Sequence, residues 1–466
     1  MKTFSPEISL CLLILFLISQ QLLFYFLFCV KILTKQVTAM NRKIVLTLLL
    51  MLLSLTGCNT VEPPSGLSIE LKLEDKSCTE VWLTLSSNLK LPAAVDLKQS
   101  NNVVKTINLV KPDTMLYINS LLPNTSYIFQ AVNDGNRVSS NAVNVTTLDT
   151  TSQNFSFQTW TFGGAASSSL RDVAIIDRDN IWCVGEIYMN DSLGNPDPIP
   201  YNAVHWDGSQ WELKRITVLY RGSLITPPLY GIFAFSDNEI WLSSGVPIKG
   251  DGTNWAQYHL FDMGILTQND GYLTKIWGTS STDLYYVGTK GTIARYLNGT
   301  WSKINSGTNL NINDIWGTFD NEGNQYILCT AYNFATGGEK KLLRIRNFVV
   351  DEISWTGNRE LYMVWFNSKY KIYAGGEGLF NLTNSNWKEE QLPPYFIFST
   401  RGDNHNNIFA AGGFGFCAQF NGLRWNMIEE VGLTSGNYER LDIKGNAVAL
   451  VGFEGNAAVI TIGVKQ

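Results

Sequence analysis

Charge is scarce in this sequence. Asp, Glu, Lys and Arg make up 16% of the 466 residues, against 12% aromatic residues and 39 glycines. That balance argues against a coiled coil or a disordered chain and suits many short strands joined by tight turns. The net charge is −5, and no Lys/Arg-rich run follows the N-terminal region. This argues against a nucleic-acid partner, because neutralising phosphates needs a basic face. The only histidines, His205, His259 and His405, fall in different parts of the chain and read as packed or surface residues, and no CxxC pair occurs among the seven cysteines. No metal-site spacing results, and no cofactor is expected. Beyond the N-terminal region Cys78, Cys183, Cys329 and Cys417 lie far apart; the last three sit within apolar strand patterns and read as small buried hydrophobes. The length exceeds what one core supports, so more than one domain is expected.

The N-terminal region carries an address. In "MNRKIVLTLLLMLLSLTGCNT", residues 40–60, Arg42 and Lys43 precede an apolar run from Ile44 to Leu55. The run is too short to span a bilayer comfortably and fits the apolar region of a signal peptide. The closing Leu55-Thr56-Gly57-Cys58 resembles the lipobox of bacterial lipoproteins. That resemblance implies removal of 40–57, lipidation of Cys58 and a short tether over 58–63. It also implies a lipid-anchored protein of the bacterial cell envelope, at the outer membrane, with the side it faces left open. Residues 1–39 contain a second, longer apolar run and read either as a hydrophobic leader or as an over-extended start before Met40.

From 64 to 148 the pattern alternates. "LSIELKLED" and "TEVWLTLSS" read as strands with one buried face, and Leu122-Pro123, Thr125 and Tyr127 have the spacing of a tyrosine corner. With Trp82 on an early strand, this segment resembles a fibronectin type III domain, an immunoglobulin-like sandwich expected to act as a spacer.

From 154 to 466 a four-part unit repeats. A second strand ending in small residues recurs seven times, as in "IWCVGE", "IWLSSG", "LYYVGT" and "IFAAGG". Asp207-Gly208, Asp251-Gly252, Asn298-Gly299 and Asn421-Gly422 signal tight hairpins, because Gly tolerates positive φ. An aromatic follows each hairpin: Trp211, Trp255, Trp301, Phe348, Trp387 and Trp425, spaced by 44, 46, 47, 39 and 38 residues. Four short strands with this period indicate a β-propeller. The last unit ends after three strands, and "NFSFQTWTFGG" with Trp160 precedes the first. The expectation is all-β: a sandwich followed by a seven-bladed propeller, closed by residues 154–162 in the last blade. These seven aromatics are expected to wedge between blades, where burying about 200 Å² is worth about 5 kcal/mol before entropy.

The repeat resembles secreted bacterial propellers with tryptophan-rich repeats, loosely akin to BNR/Asp-box and photosystem-assembly propellers. Such a scaffold hosts many tasks. A sialidase-like glycoside hydrolase would need a convergent arginine triad with a tyrosine and carboxylates. Arginine occurs near only three inner strands, with no spacing that suggests convergence, so catalytic residues are not expected and the chain reads as a non-enzyme. Arg401-Gly402-Asp403 reads as a chance tripeptide in a turn. Long connections in the first blades and near 331–341 place Tyr188, Asp191, Asp197, Tyr201, Tyr220, Arg221, Asp270, Tyr272, Tyr332 and Phe334 on one rim. Loops on a rigid scaffold are where recognition is usually placed. The expected role is non-catalytic binding of a glycan or protein through that face; the alternative is a periplasmic assembly factor for outer-membrane or secreted complexes.

Overall fold

Apolar alternation sets the strands, and the faces they bury set the sheets. The computed structural model describes residues 66–466 apart from 136, 335, 336 and 358. The 1–39 segment, the 40–57 signal segment and the 58–63 tether with Cys58 lie outside the described residues. The described chain is all-β, with only two single-turn 3₁₀ segments.

Between Ile69 and Thr146 two antiparallel sheets, of three and five strands, enclose one core that includes Leu71, Leu83, Val95, Leu97, Leu116, Phe129 and Ala131. The Tyr127 hydroxyl accepts the Leu122 N–H at 2.9 Å, tying the loop as the sequence pattern suggests. Trp82 does not join this core. It sits on the outer face of its sheet, beside Tyr117 and against Tyr370 and His405 of the C-terminal region.

That region contains seven four-stranded antiparallel sheets, numbered here I to VII: 169–214, 231–257, 273–304, 312–353, 361–389, 397–427 and 436–465. Sheet VII draws its fourth strand, Phe155–Phe162, from the beginning of the region, in register from Ala458↔Phe162 to Lys465↔Phe155. The first strand of each sheet lies against the first strand of the next, and that of sheet VII lies against that of sheet I. This arrangement is that of a β-propeller. Second strands such as Asn407–Gly412 are buried throughout, because neighbouring sheets cover both faces; hence their unbroken apolar runs.

Each of the seven seams has its own apolar cluster, including the one between VII and I, where Ala449, Val451 and Ile460 meet Val173, Ile181 and Val204. Side chains also bridge the seams, satisfying inner-strand amides that no further strand covers. Asp172 Oδ2 accepts the Ile232 N–H at 3.3 Å, Asp314 Oδ2 the Val364 N–H at 3.1 Å and Ser399 Oγ the Leu441 N–H at 3.2 Å. Asp442 Oδ2 accepts the Ile175 N–H at 2.8 Å, linking VII to I.

Trp211, Trp255, Trp301, Trp387 and Trp425 each stand first or second in an outer strand and pack into a seam. One expected wedge is corrected and another occupies a different seam from that of its counterparts. Phe348 falls in the two-residue turn after Asn347, with φ +67° and 47% exposure. Val350 takes the place that Trp301 holds in sheet III, because Ile345↔Val350 is the pairing equivalent to Tyr296↔Trp301. Trp160 does pack between sheets, against Trp206 and Trp211 of sheet I, but from the opposite face of its strand, since side chains alternate with period two. Phe157 is the true counterpart: a Cβ on Gly463 would meet its ring at 2.3 Å, as one on Gly250 would meet Trp255 at 2.1 Å. The hairpins differ too. Asn298-Gly299 is a two-residue turn with φ of +47° and +89°. Asp207, Asp251 and Asn421 instead open four-residue turns, each accepting the amides two and three residues on.

Antiparallel meanders alternate sides, so first-to-second and third-to-fourth turns share one face of the ring. The N-terminal sandwich docks on that face, at sheets IV to VI. Lys371 Nζ lies 2.7 Å from Glu80 Oε2, both side chains about nine-tenths buried, and Glu80 also accepts the Tyr117 and Ser77 hydroxyls. His405 Nε2 lies 2.8 Å from Asp75 Oδ2, which also accepts the Ser368 hydroxyl. Burial opposes the charge on Asp75 and Glu80, but these partners outweigh it and hold both carboxyls below their ordinary range. All four cysteines of the described chain are buried and free.

Candidate functional site

The opposite face carries the second-to-third connections and the links between sheets, and these are the long ones: 188–200, 215–230, 258–272 and 333–339. At its centre the inner strands share a local irregularity. Register shifts between Leu170/Asp172, Leu273/Lys275, Ile312/Asp314, Leu361/Met363, Ile397/Ser399 and Tyr438/Arg440 leave one extra residue on each of six inner strands. A bulge re-aims the side chain it inserts. Five of the six extra residues, Arg171, Thr274, Asn313, Tyr362 and Glu439, line one pocket of about 430 Å³ at the axis, with Tyr230 from sheet II. No hydrophobic period marks these positions. Only alignment of the repeats, which places Thr274 and Asn313 three residues before the Trp of "IWGT", would have singled them out.

Outward from the axis lies a second cleft of about 860 Å³, bordered by Arg221, His259, Asp262, Asp270, Tyr272 and Lys290. Thr289 and Asn311 line both hollows, so they adjoin. Arg221 reaches Asp262 at 2.9 Å, and this carboxylate raises the guanidinium's pKa. His259, expected to be a packed or surface residue, stacks on Tyr220 at 4.8 Å and faces Asp262 at 3.1 Å. Tyr272 is 66% exposed.

Of the ten rim residues expected, Arg221, Asp270 and Tyr272 thus border one cleft, and Tyr220 reaches its edge through His259. Asp270 is bound to Lys303 and to Thr267. Tyr332 and Phe334 stand on another side: the Tyr332 hydroxyl donates to Glu360 at 2.5 Å, and Phe334 packs edge-on to Phe396, which meets Tyr362. Tyr188 approaches the centre only indirectly, through Glu186, which pairs with Arg171 at 2.9 Å. Asp191 is spent on its own loop, accepting the Leu193 and Asn195 amides. Asp197 and Tyr201 both hold Arg215, by an ion pair at 2.5 Å and a cation–π contact at 3.9 Å. These three do not join the cleft, because their loop folds back on itself.

Deeper in the channel the arginines do converge, against the sequence expectation. Arg401 binds Asp314 at 2.8 Å, and Arg440 lies 3.9 Å from the same carboxylate while donating to the Phe398 and Asn313 carbonyls. Burial opposes ionisation of Asp314, yet the two arginines outweigh it and keep the acid below its usual range. Arg401 therefore faces inward from a strand, and its tripeptide is no exposed turn. Burial, helped by Arg440, pushes the Lys275 pKa down to about 8. Burial also pushes Asp442 up to about 6 and raises Glu439. Among the described residues, the arginines Arg401 and Arg440 of the channel are thus engaged by Asp314 and by backbone carbonyls.

The chain matches no protein-family model and no curated protein. Among solved structures it is similar to one described as YCF48 bound to D1 peptide, at 15% identity and a TM-score of 0.49, over 68% of this chain and 99% of that one. It is also similar to the WD40 β-propeller domain of Doa1, at 11% identity and a TM-score of 0.48, over 68% and 98% respectively.

Proposed function

We propose that the chain is a non-catalytic binding scaffold whose long-loop face receives an extended polypeptide segment. In this reading the seven sheets are the blades of one closed ring, the Phe155–Phe162 strand is its clasp, and the 64–148 sandwich is a fibronectin type III-like module that braces the other face. A single observation carries the binding role: the outer cleft and the axial pocket adjoin through Thr289 and Asn311, giving a trough from rim to axis lined by tyrosines and charges of both signs. An elongated trough suits a chain in extended form better than a compact metabolite, and mixed polar and aromatic groups suit peptide side chains and backbone alike. An assembly role for envelope complexes would use the same surface.

The test is selection of random peptides on the immobilised full-length protein, with the winners challenged against Tyr272→Ala and Arg221→Ala. Enriched peptides that lose about tenfold or more in affinity on either variant support the reading. Failure to enrich any peptide, or binding to a glycan array that the same variants abolish, overturns it in favour of no ligand here or of a sugar. The envelope address is likewise a proposal, resting on the lipobox at Cys58. Cys58→Ala should move the protein from the membrane to the soluble fraction, and unchanged fractionation would refute the anchor.

A further inference from the structure

Among the charged groups that line the axial pocket or lie beside it, the cations are accounted for. Arg171 pairs with Glu186 at 2.9 Å and lies over the Tyr230 ring at 4.8 Å. Arg440 is fastened by two backbone carbonyls at 2.6 and 2.8 Å and lies over Tyr362 at 5.7 Å. Lys275 is held by Asp172 at 3.5 Å and by the carbonyls of Arg171 and Tyr230, both at 3.4 Å. Glu439 is different. It is half-buried, it is placed in the pocket by the bulge of the sheet VII inner strand, and its carboxylate accepts no hydrogen bond and closes no ion pair among the described residues. Arg171, Lys275 and Arg440 act on it only through the field.

A carboxylate withdrawn from water without a donor is costly, and a charged donor relieves that cost most strongly. The same pocket contains the rings of Tyr230 and Tyr362, and both already accept guanidinium groups, so the surroundings tolerate a flat cation. We infer that the axial pocket receives a basic side chain, an arginine or a lysine, of the bound polypeptide, with Glu439 as its counter-charge. This inference rests on the polypeptide-binding reading above and adds which residue of the ligand is anchored. Specificity would then come from the centre of the ring, while the outer cleft supplies contact area.

A double-mutant cycle on the full-length protein tests it. Peptides enriched by selection should share one Arg or Lys. Replacing that residue by Ala should weaken binding about 10- to 100-fold to the native protein but only about two- to threefold to Glu439→Gln. Glu439→Asp, which keeps the charge, should restore most of the discrimination. The urea midpoint of each variant shows that it is folded; if Glu439→Gln falls short, Glu439→Ala takes its place in the cycle, and Tyr362→Phe, which keeps both the ring and the carboxylate, should leave the preference unchanged. Peptides that bind and are lost with Tyr272→Ala, yet share no basic residue or share an acidic one, overturn this inference and leave the binding reading standing. Absence of any enriched peptide removes both.

Discussion

The two faces of the ring are built from the same repeating sheets and both contain ion pairs, yet they differ in what is left open. On the sandwich-bearing face the buried charges are matched: Glu80 with Lys371, and Asp75 with His405 and Ser368. On the loop-bearing face Tyr272 and Phe334 are exposed and Glu439 has no partner among the described residues. Matched burial marks a permanent contact, since an unpaired buried charge would be intolerable there. The unmatched Glu439 and the exposed aromatics are the features on which the proposed binding role of the other face rests.

The largest expected effect gives the yardstick common to both faces. Trp301, buried in the seam of sheets II and III, should cost about 3–5 kcal/mol when changed to Ala. Phe348→Ala should cost less than about 1 kcal/mol, because that ring sits in a turn. Urea melts decide, and equal losses would restore Phe348 as a wedge. Lys371→Ala strands Glu80 under the sandwich and should cost about 3 kcal/mol, whereas Tyr272→Ala on the open face should stay within about 0.5 kcal/mol. Comparable losses at the two positions would erase the contrast between the faces.

A smaller effect tests the seam between VII and I. The Asp442 carboxyl has its pKa raised to about 6 by burial. A raised acid binds its proton more tightly in the folded state. Its stabilising contribution is complete below the ordinary carboxyl range and is lost as pH rises through about 6. Asp442→Asn, which keeps a carbonyl acceptor for the Ile175 amide, should therefore gain in melting temperature relative to the native protein between pH 4.5 and 7.5. A constant difference across that window would show that Asp442 does not titrate in it.

Much of the architecture was legible. Small-ended second strands predicted seven sheets, and "NFSFQTWTFGG" predicted the strand that pairs with the last. The wedge positions were legible where a four-residue turn or Asn-Gly preceded a tryptophan. They failed at Phe348, where the Asn347-Phe348 turn takes the aromatic one step early; at Trp160 the ring packs between sheets, but parity sends it to the other face and so to the seam with sheet I. The site was less legible. Arg221 and Tyr272, expected on the rim, border the outer cleft, but Asp197 and Tyr201 are consumed by Arg215. Glu439 and Tyr362 owe their position to bulges, which leave no periodic trace.

The order of apolar and turn residues by itself determined that this chain forms small antiparallel sheets in series. Those choices depend on neighbours a few residues apart, where pleat and hairpin geometry act. Only the tertiary structure decided which charges meet across the ring, which remain alone at its centre, and which face the sandwich covers. Those outcomes depend on groups far apart in sequence, brought together when the inner strands are laid side by side.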